Sequence, residues 1–504
     1  MAEHIVRGTA AQDPPAGDQS DPRVERRTWS SLRSPAVLIG VLALVTAIVT
    51  SITLPPSLLS VALGFIAVVG LSREPRLGPL PAALLALIAI PYGRAADNDL
   101  AELAGIPFRF QDGVVLAAGL LALPALRHIS FRTGISRLIA AFLVVGLVAV
   151  LIGAIEGQAN RDILRDVRWW ALYGFGLLAL WAGTDRRAIV RGLLIGATVF
   201  AVVLFLVVIL PVFSGGLEAR ALVYDWGRLR LQFSNSIFLI PALAYLATRL
   251  TVRPSWRDAG WLTLLFLAVV LSVTRMSILA GLATVGLAFV WAAWTHRRSI
   301  GIVPTVVRGA GLALLVVLAS VVAVGSIVAG ARFEDSLATA GEEPGSDASG
   351  DVVDRILFQD PNSSIGAIER GRFATYRSAV DVIRTSPIVG SGLGTLVAID
   401  FTFGGSRPST PGMQPGVDDA YLTVAMKTGV IGLLVYAAMM AWPLWAFIRR
   451  RRDRMAWWFI PGWLGVLGLS LTQSFATTGY GPFGLALLLV LLDLRPRRRA
   501  SQPA

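Results

Sequence analysis

Apolar residues run along this chain in blocks long enough to cross a bilayer, separated mostly by short polar connections. The blocks occupy 36–53, 56–71, 79–93, 113–127, 137–154, 168–183, 188–213, 233–249, 259–274, 277–294, 308–330, 418–447, 456–474 and 479–494. A spanning helix takes roughly 17–25 such residues, so several blocks lie at the short end of that range. The pattern predicts an all-α polytopic membrane protein with about fourteen transmembrane helices. Residues 1–34 are polar and carry Pro14, Pro15 and Gly17, with no apolar core ahead of a small-residue cleavage site. That segment reads as a cytosolic tail rather than a signal peptide.

Arginines in the short connections set the orientation. Arg73 and Arg76 share one side with Arg127, Arg132 and Arg137, and with Arg186, Arg187 and Arg191. The same side takes Arg249, Arg253 and Arg257, then Arg297, Arg298 and Arg308, Arg449 to Arg452, Arg454, and the tail from Arg495 to Arg499. These fall on alternate connections, which puts both termini inside. The division is a tail at 1–34, helices one to eleven at 35–330, a large outer loop at 331–417, helices twelve to fourteen at 418–494, and a cytosolic basic tail at 495–504. The loop opens with an acidic stretch, Glu334 to Asp347, of the composition that stays flexible. From Ala367 to Ile388 it has helical periodicity, with Ile368, Phe373, Tyr376, Ala379, Val380, Ile383 and Ile388 on one face. Such a face suits a helix lying on the membrane surface. A loop this long is more often functional than passive, so chemistry is expected on the outer face.

Composition agrees with a membrane protein: charged residues are 15% of the chain, against about a quarter in soluble domains. The absence of cysteine removes a disulfide framework, a thiolate nucleophile and any Cys-ligated metal. The net charge of +13 is dispersed over short loops, which excludes a nucleic-acid interface as its explanation. Lys427 is the single lysine, and the arginine bias fits the codon usage of a GC-rich genome.

Arginines facing outward run against the positive-inside bias and need a reason. They are Arg161, Arg165 and Arg168; Arg220, Arg228 and Arg230; Arg275; and, in the large loop, Arg370, Arg372 and Arg384. Grouped guanidinium groups suit a pyrophosphate, to whose oxygens they offer paired, planar donors. The competing explanation is pairing with the local acids Asp162, Asp166, Asp225, Glu369 and Asp381, or with lipid headgroups. After Pro387, the glycines 390, 392 and 394 form a turn able to present backbone amides to an anion or sugar, or an ordinary flexible connection. Asp418 and Asp419 precede a long apolar helix. They fit either helix capping or a general base kept ionised by the helix N-terminus. Lys427, about two turns further in, either snorkels or pairs with an acid or a phosphate.

At these residues the chain resembles the O-antigen ligase / O-antigen polymerase superfamily of membrane glycosyltransferases. Arg372, Phe373, Tyr376, Pro387, Gly390, Gly392, Gly394, Ala420, Tyr421, Leu422, Thr428, Gly429 and Gly432 match its loop signature in order and spacing. Weaker matches are the arginine-bearing segment leading to Phe233–Ser236, and Ser272–Arg275 at an outer helix turn. The resemblance implies a GT-C-like fold, with short surface helices in the extracytoplasmic loop, in a bacterial cytoplasmic membrane. It implies a polyprenyl-pyrophosphate-linked glycan as donor, a glycan or glycolipid acceptor, membrane lipid around the protein, and no metal, cofactor or nucleic acid.

Under that resemblance Arg228, Arg275 and Arg372 contact the pyrophosphate, with Arg230 as an alternate, and Gly392, Gly394 and Lys427 add binding groups. Asp418 or Asp419 deprotonates the acceptor hydroxyl, while Tyr376 and Tyr421 line the sugar site. The chain departs from the family at one point. Many members carry His-Asn ahead of Ala-Tyr-Leu, where this chain has Asp418-Asp419 and no outer-loop histidine. A carboxylate can still serve as base, but the identity of a lipopolysaccharide-type ligase is put in doubt. The main competitor from another class is a transporter of polysaccharide or lipid-linked glycan. Transporters place charges and helix breaks near the midplane in paired halves, and the span interiors here hold almost no acids and show no half-to-half repeat.

Overall fold

The computed structural model describes residues 34–53, 58–90, 110–214, 237–271, 275–300, 364–399, 416–449, 454–473 and 479–494, with short pieces between them. The 1–34 and 495–504 tails, apart from Ser34, and the acidic stretch of the large loop lie outside the described residues. The architecture is helical. In chain order come α1 (Pro35–Thr53), α2 (Leu58–Leu71), α3 (Pro79–Ala89), α4 (Phe110–Ala122, continued by a 3-10 turn to His128), α5 (Gly134–Ile155), α6 (Asn160–Ala171), α7 (Gly174–Trp181) and α8 (Arg186–Ser214). There follow α9 (Leu239–Val252), α10 (Trp256–Leu271), α11 (Arg275–Ile300), α12 (Ser364–Thr385), α13 (Ala420–Arg449), α14 (Arg454–Ser470) and α15 (Gly481–Leu489). Among the described residues, strands are confined to three two-stranded antiparallel ribbons. These are β1 (Glu102–Leu103) with β2 (Ile106–Pro107), β3 (Tyr224–Asp225) with β4 (Arg228–Leu229), and β5 (Val397–Ile399) with β6 (Gly412–Gln414).

Among the described residues, five helices have the length and hydropathy to cross a membrane alone: Phe110–His128, Gly134–Ile155, Arg186–Leu206, Met276–His296 and Ala420–Arg449. Four shorter apolar helices, Pro35–Val49, Leu59–Leu71, Pro79–Ala89 and Leu239–Val252, accompany them. Large apolar residues such as Val144, Leu147 and Leu151 on α5, and Val430 and Leu434 on α13, point outward. A lipid surround accounts for that exposure, where water would not. One buried core takes residues from the helices between α1 and α15 other than α12. Small residues let helices approach closely: a Cβ on Gly113 of α4 would lie 1.8 Å from the Val61 carbonyl oxygen of α2.

Two departures from the sequence pattern bear on function. Residues 160–167, which read as an outer connection, are helical. α6 buries Ile163, Asp166, Trp169 and Trp170 on one side, and the chain turns again at Leu172–Tyr173 before α7. The block at 418–447 is also interrupted: α13 is two helices joined at Gly429, whose φ of 63° and ψ of −165° are not helical.

The helix expected from Ala367 to Ile388 is α12, Ser364–Thr385. Its apolar face meets protein. Tyr376, Ala379 and Ile383 form a small second core with Val397, Val417, Leu422 and Met426. Ile388, expected on that face, lies beyond the helix and is exposed.

Candidate active site

The site is built around the break in α13. A helix interrupted inside a bundle leaves backbone N–H and C=O groups without partners, and within a membrane these must be met by protein. The turn after α12 meets them. Ser391 N–H donates to the Met426 carbonyl (3.0 Å) and Gly392 N–H to that of Lys427 (3.1 Å). From the other side of the break, Val430 N–H donates to Pro387 (2.9 Å) and Ile431 N–H to Ile388 (3.3 Å). Four backbone bonds thus splice the large loop into a membrane helix.

The same turn reaches α5. Leu393 N–H donates to the Ala149 carbonyl (2.9 Å), and the Leu393 side chain is fully buried in the main core. Gly392, with φ of 83°, comes so close to α5 that a Cβ on it would lie 2.2 Å from the Gly153 nitrogen.

Gly394 N–H donates to Oδ2 of Asp166 on α6 at 2.7 Å. That oxygen also accepts from the Lys427 ammonium. The Lys427 side chain is 0% exposed and that of Asp166 is 1% exposed. The Asp166 carboxylate therefore joins α6, the first half of α13 and the glycine turn. Trp169 Nε1–H approaches its other oxygen at 3.4 Å.

Asp419 caps α13. Its Oδ1 accepts from Leu422 N–H at 2.8 Å and its carbonyl from Thr423 N–H at 3.1 Å. The Thr423 hydroxyl exchanges hydrogen bonds with the Val417 backbone (3.1 and 3.2 Å), which fixes the approach to the helix. Burial pushes the Asp419 carboxyl above its ordinary range, against the pull of the Leu422 and Tyr421 backbone N–H groups. Asp418 is half-buried beside it. Tyr421 is half-buried, its ring packed edge-on to Tyr436 at 5.4 Å.

The expected arginines divide. Arg168 is held by Asp112, by the Tyr480 hydroxyl and by the Tyr480 ring face, and Tyr480 itself donates to Asp112 at 2.6 Å. Arg384 pairs with Asp381 at 3.2 Å on an exposed surface. Arg165 gives Nη1 to Asp162 at 2.8 Å, while its Nε and Nη2 are buried with no hydrogen-bond partner among the described residues. Arg372 lies on α12 one turn before Tyr376, and Arg275 begins α11. Arg228 is in β4. For these three only the backbone is described, and Arg230 lies outside the described residues. Tyr376 of α12 and Leu422 of α13 both pack on the small core of Ala379, Val397, Val417 and Met426, which brings the Arg372-bearing helix to the first half of α13.

In the sequence Asp166 stands out only as a neutralising partner for an outer arginine. The available signal was Lys427 itself, since the chain's one lysine sits in an apolar helix and needs a buried acid.

Residues 260–437 match the family model described as O-Antigen ligase. No curated protein matches the chain. The matched segment holds the expected site residues Arg275, Arg372, Tyr376, Gly392, Gly394, Asp418, Asp419, Tyr421 and Lys427, and the break at Gly429, but not Asp166. Over residues 260–437 this multi-helix membrane protein is similar to the O-antigen ligase family.

Proposed function

We propose that the protein transfers a glycan from a polyprenyl pyrophosphate, undecaprenyl in a bacterial membrane, to a sugar hydroxyl at the outer face of the cytoplasmic membrane. The observation that carries this reading is the splice between α12, its glycine turn and the broken α13. It holds Asp419 and the Arg372-bearing helix together within the family-matched segment.

In the proposed step, the Asp419 carboxylate takes the proton of the acceptor hydroxyl. The acceptor oxygen attacks the anomeric carbon as the bond from that carbon to the pyrophosphate oxygen breaks, giving inversion. The electron pair leaves with the lipid pyrophosphate, and Arg228, Arg275 and Arg372 neutralise its growing charge without a metal ion. Tyr376, Tyr421 and the glycine turn border the sugar, with Asp418 as the second candidate carboxylate. The proposed topology has fourteen spans, with both termini inside and the 331–417 loop outside.

A broken membrane helix with a buried charge pair also occurs in transporters, where the freed backbone groups bind the cargo. Here the turn occupies backbone groups on both sides of the break, which favours the enzyme. The deciding experiment is transfer in nanodiscs with purified protein and lipid-pyrophosphate-linked glycan, in EDTA. A glycan ladder from donor alone establishes a polymerase. Release of polyprenyl pyrophosphate only on adding a second acceptor establishes a ligase. Neither product with a validated donor removes the glycosyltransferase reading and leaves the transporter.

A further inference from the structure

Two full charges buried inside an apolar bundle are costly to desolvate, and a pair of this kind is retained where it specifies an arrangement. The Lys427 side chain has no exposed surface, and its ammonium rests on Asp166 Oδ2. The same oxygen accepts the Gly394 amide at 2.7 Å. Three chain segments thus meet on one oxygen. They are α6, the half-helix Ala420–Thr428 that begins at Asp419, and the turn that continues from the Arg372-bearing α12. Gln158 and Ile163 close over Gly394: a Cβ there would lie 3.0 Å from the one side chain and 2.8 Å from the other.

We propose that Asp166 is a positioning residue for glycan transfer. Its carboxylate, fixed by Lys427, clamps the Gly390–Gly394 turn into the break of α13 and so sets Asp419 against α12. The proposal rests on the glycan-transfer reading above, and it gives Lys427 to the clamp rather than to the substrate. Asp166 touches no reacting atom. Removing its charge strands the Lys427 ammonium and weakens the hold on Gly394, whereas removing both charges leaves an asparagine oxygen able to accept the same amide.

The test uses the full-length protein in nanodiscs, with Asp166→Asn, Lys427→Met and the double variant compared at equal folded fraction. Hydrogen exchange is followed in peptides covering 387–396, and kcat and KM are measured for the lipid-pyrophosphate donor. Asp166→Asn is expected to speed exchange in that segment about tenfold or more and to lower kcat by a similar factor with KM unchanged. The double variant is expected to recover both properties to within about threefold of wild type, because the two sites are directly coupled.

Unchanged exchange at 387–396 in Asp166→Asn overturns the clamp. If Lys427→Met and the double variant are equally inactive with raised donor KM, Lys427 grips the substrate and the proposal fails. A wild-type protein without transfer activity defeats the glycan-transfer reading instead. The exchange data still decide in that case whether Asp166 holds the turn.

Discussion

Gly390 and Gly429 face each other across the break in α13, each occupying the space where the other's side chain would stand. A Cβ on Gly390 would lie 2.5 Å from the Gly429 nitrogen, and one on Gly429 would lie 2.6 Å from the Gly390 nitrogen. Both have positive φ, 76° and 63°. The loop and the helix are therefore complementary at backbone level, and a methyl group on either residue forces them apart.

Gly390→Ala or Gly429→Ala is expected to cost at least roughly 1–2 kcal/mol from the left-handed backbone alone, with the clash added. Limited proteolysis of the nanodisc protein checks this: cleavage between 386 and 396 should rise in both variants while the helices stay protected. Wild-type resistance in both variants would mean that the splice tolerates a side chain.

Asp419→Asn separates charge from capping, because asparagine caps a helix about as well as aspartate. Folding should be retained and transfer should fall by about 10²–10⁴, the range of a general base. Asp418→Asn is expected near wild type. The reverse outcome would assign the base to Asp418, and full activity in both would remove both. Asp419→Ala should lose about 1 kcal/mol of stability besides activity, measured by thermal unfolding.

The raised Asp419 carboxyl fixes the sign of the pH response. As a base it must be ionised, so activity should rise with pH through a value above the ordinary carboxylate range. The folded state holds this proton more tightly than the unfolded chain, so the group's contribution to stability is lost as pH rises through the folded value. A kcat profile whose acid limb sits at or below the ordinary carboxylate range would exclude Asp419 as the base.

Arg372→Ala should abolish transfer while the protein inserts and melts as wild type. Arg372→Lys should recover little of it, because an ammonium lacks the paired donors that suit a pyrophosphate. Donor turnover and thermal unfolding of both variants are the measurements. Normal product from Arg372→Ala would take this residue out of the site.

α5 and α12 show what was legible. The block at 137–154 appears as Gly134–Ile155, and the periodic segment at 367–388 as Ser364–Thr385. Each rests on apolar spacing that neighbouring residues carry themselves. What α12 packs against was not legible: its stripe suits a membrane surface as well as the Leu422–Met426 face that it meets.

Asp419 as a cap was readable for the same local reason, since it stands next to the helix whose N–H groups it accepts. The break at Gly429 was not. A glycine in an apolar run is tolerated in a membrane helix, and only the docking of 387–393 makes the non-helical conformation favourable.

The sequence by itself determined that this is a multi-helix membrane protein with a segment similar to the O-antigen ligase family, because hydropathy, periodicity and an ordered motif are properties of neighbours along the chain. It left Lys427 to snorkel or to pair with an acid or a phosphate. Tertiary structure alone decided that the partner is Asp166, 261 residues away, and that Arg168 takes Asp112 and Tyr480 rather than the acids beside it. Which charges meet in an apolar interior depends on how helices pack. The spacing of residues along the chain leaves that pairing open.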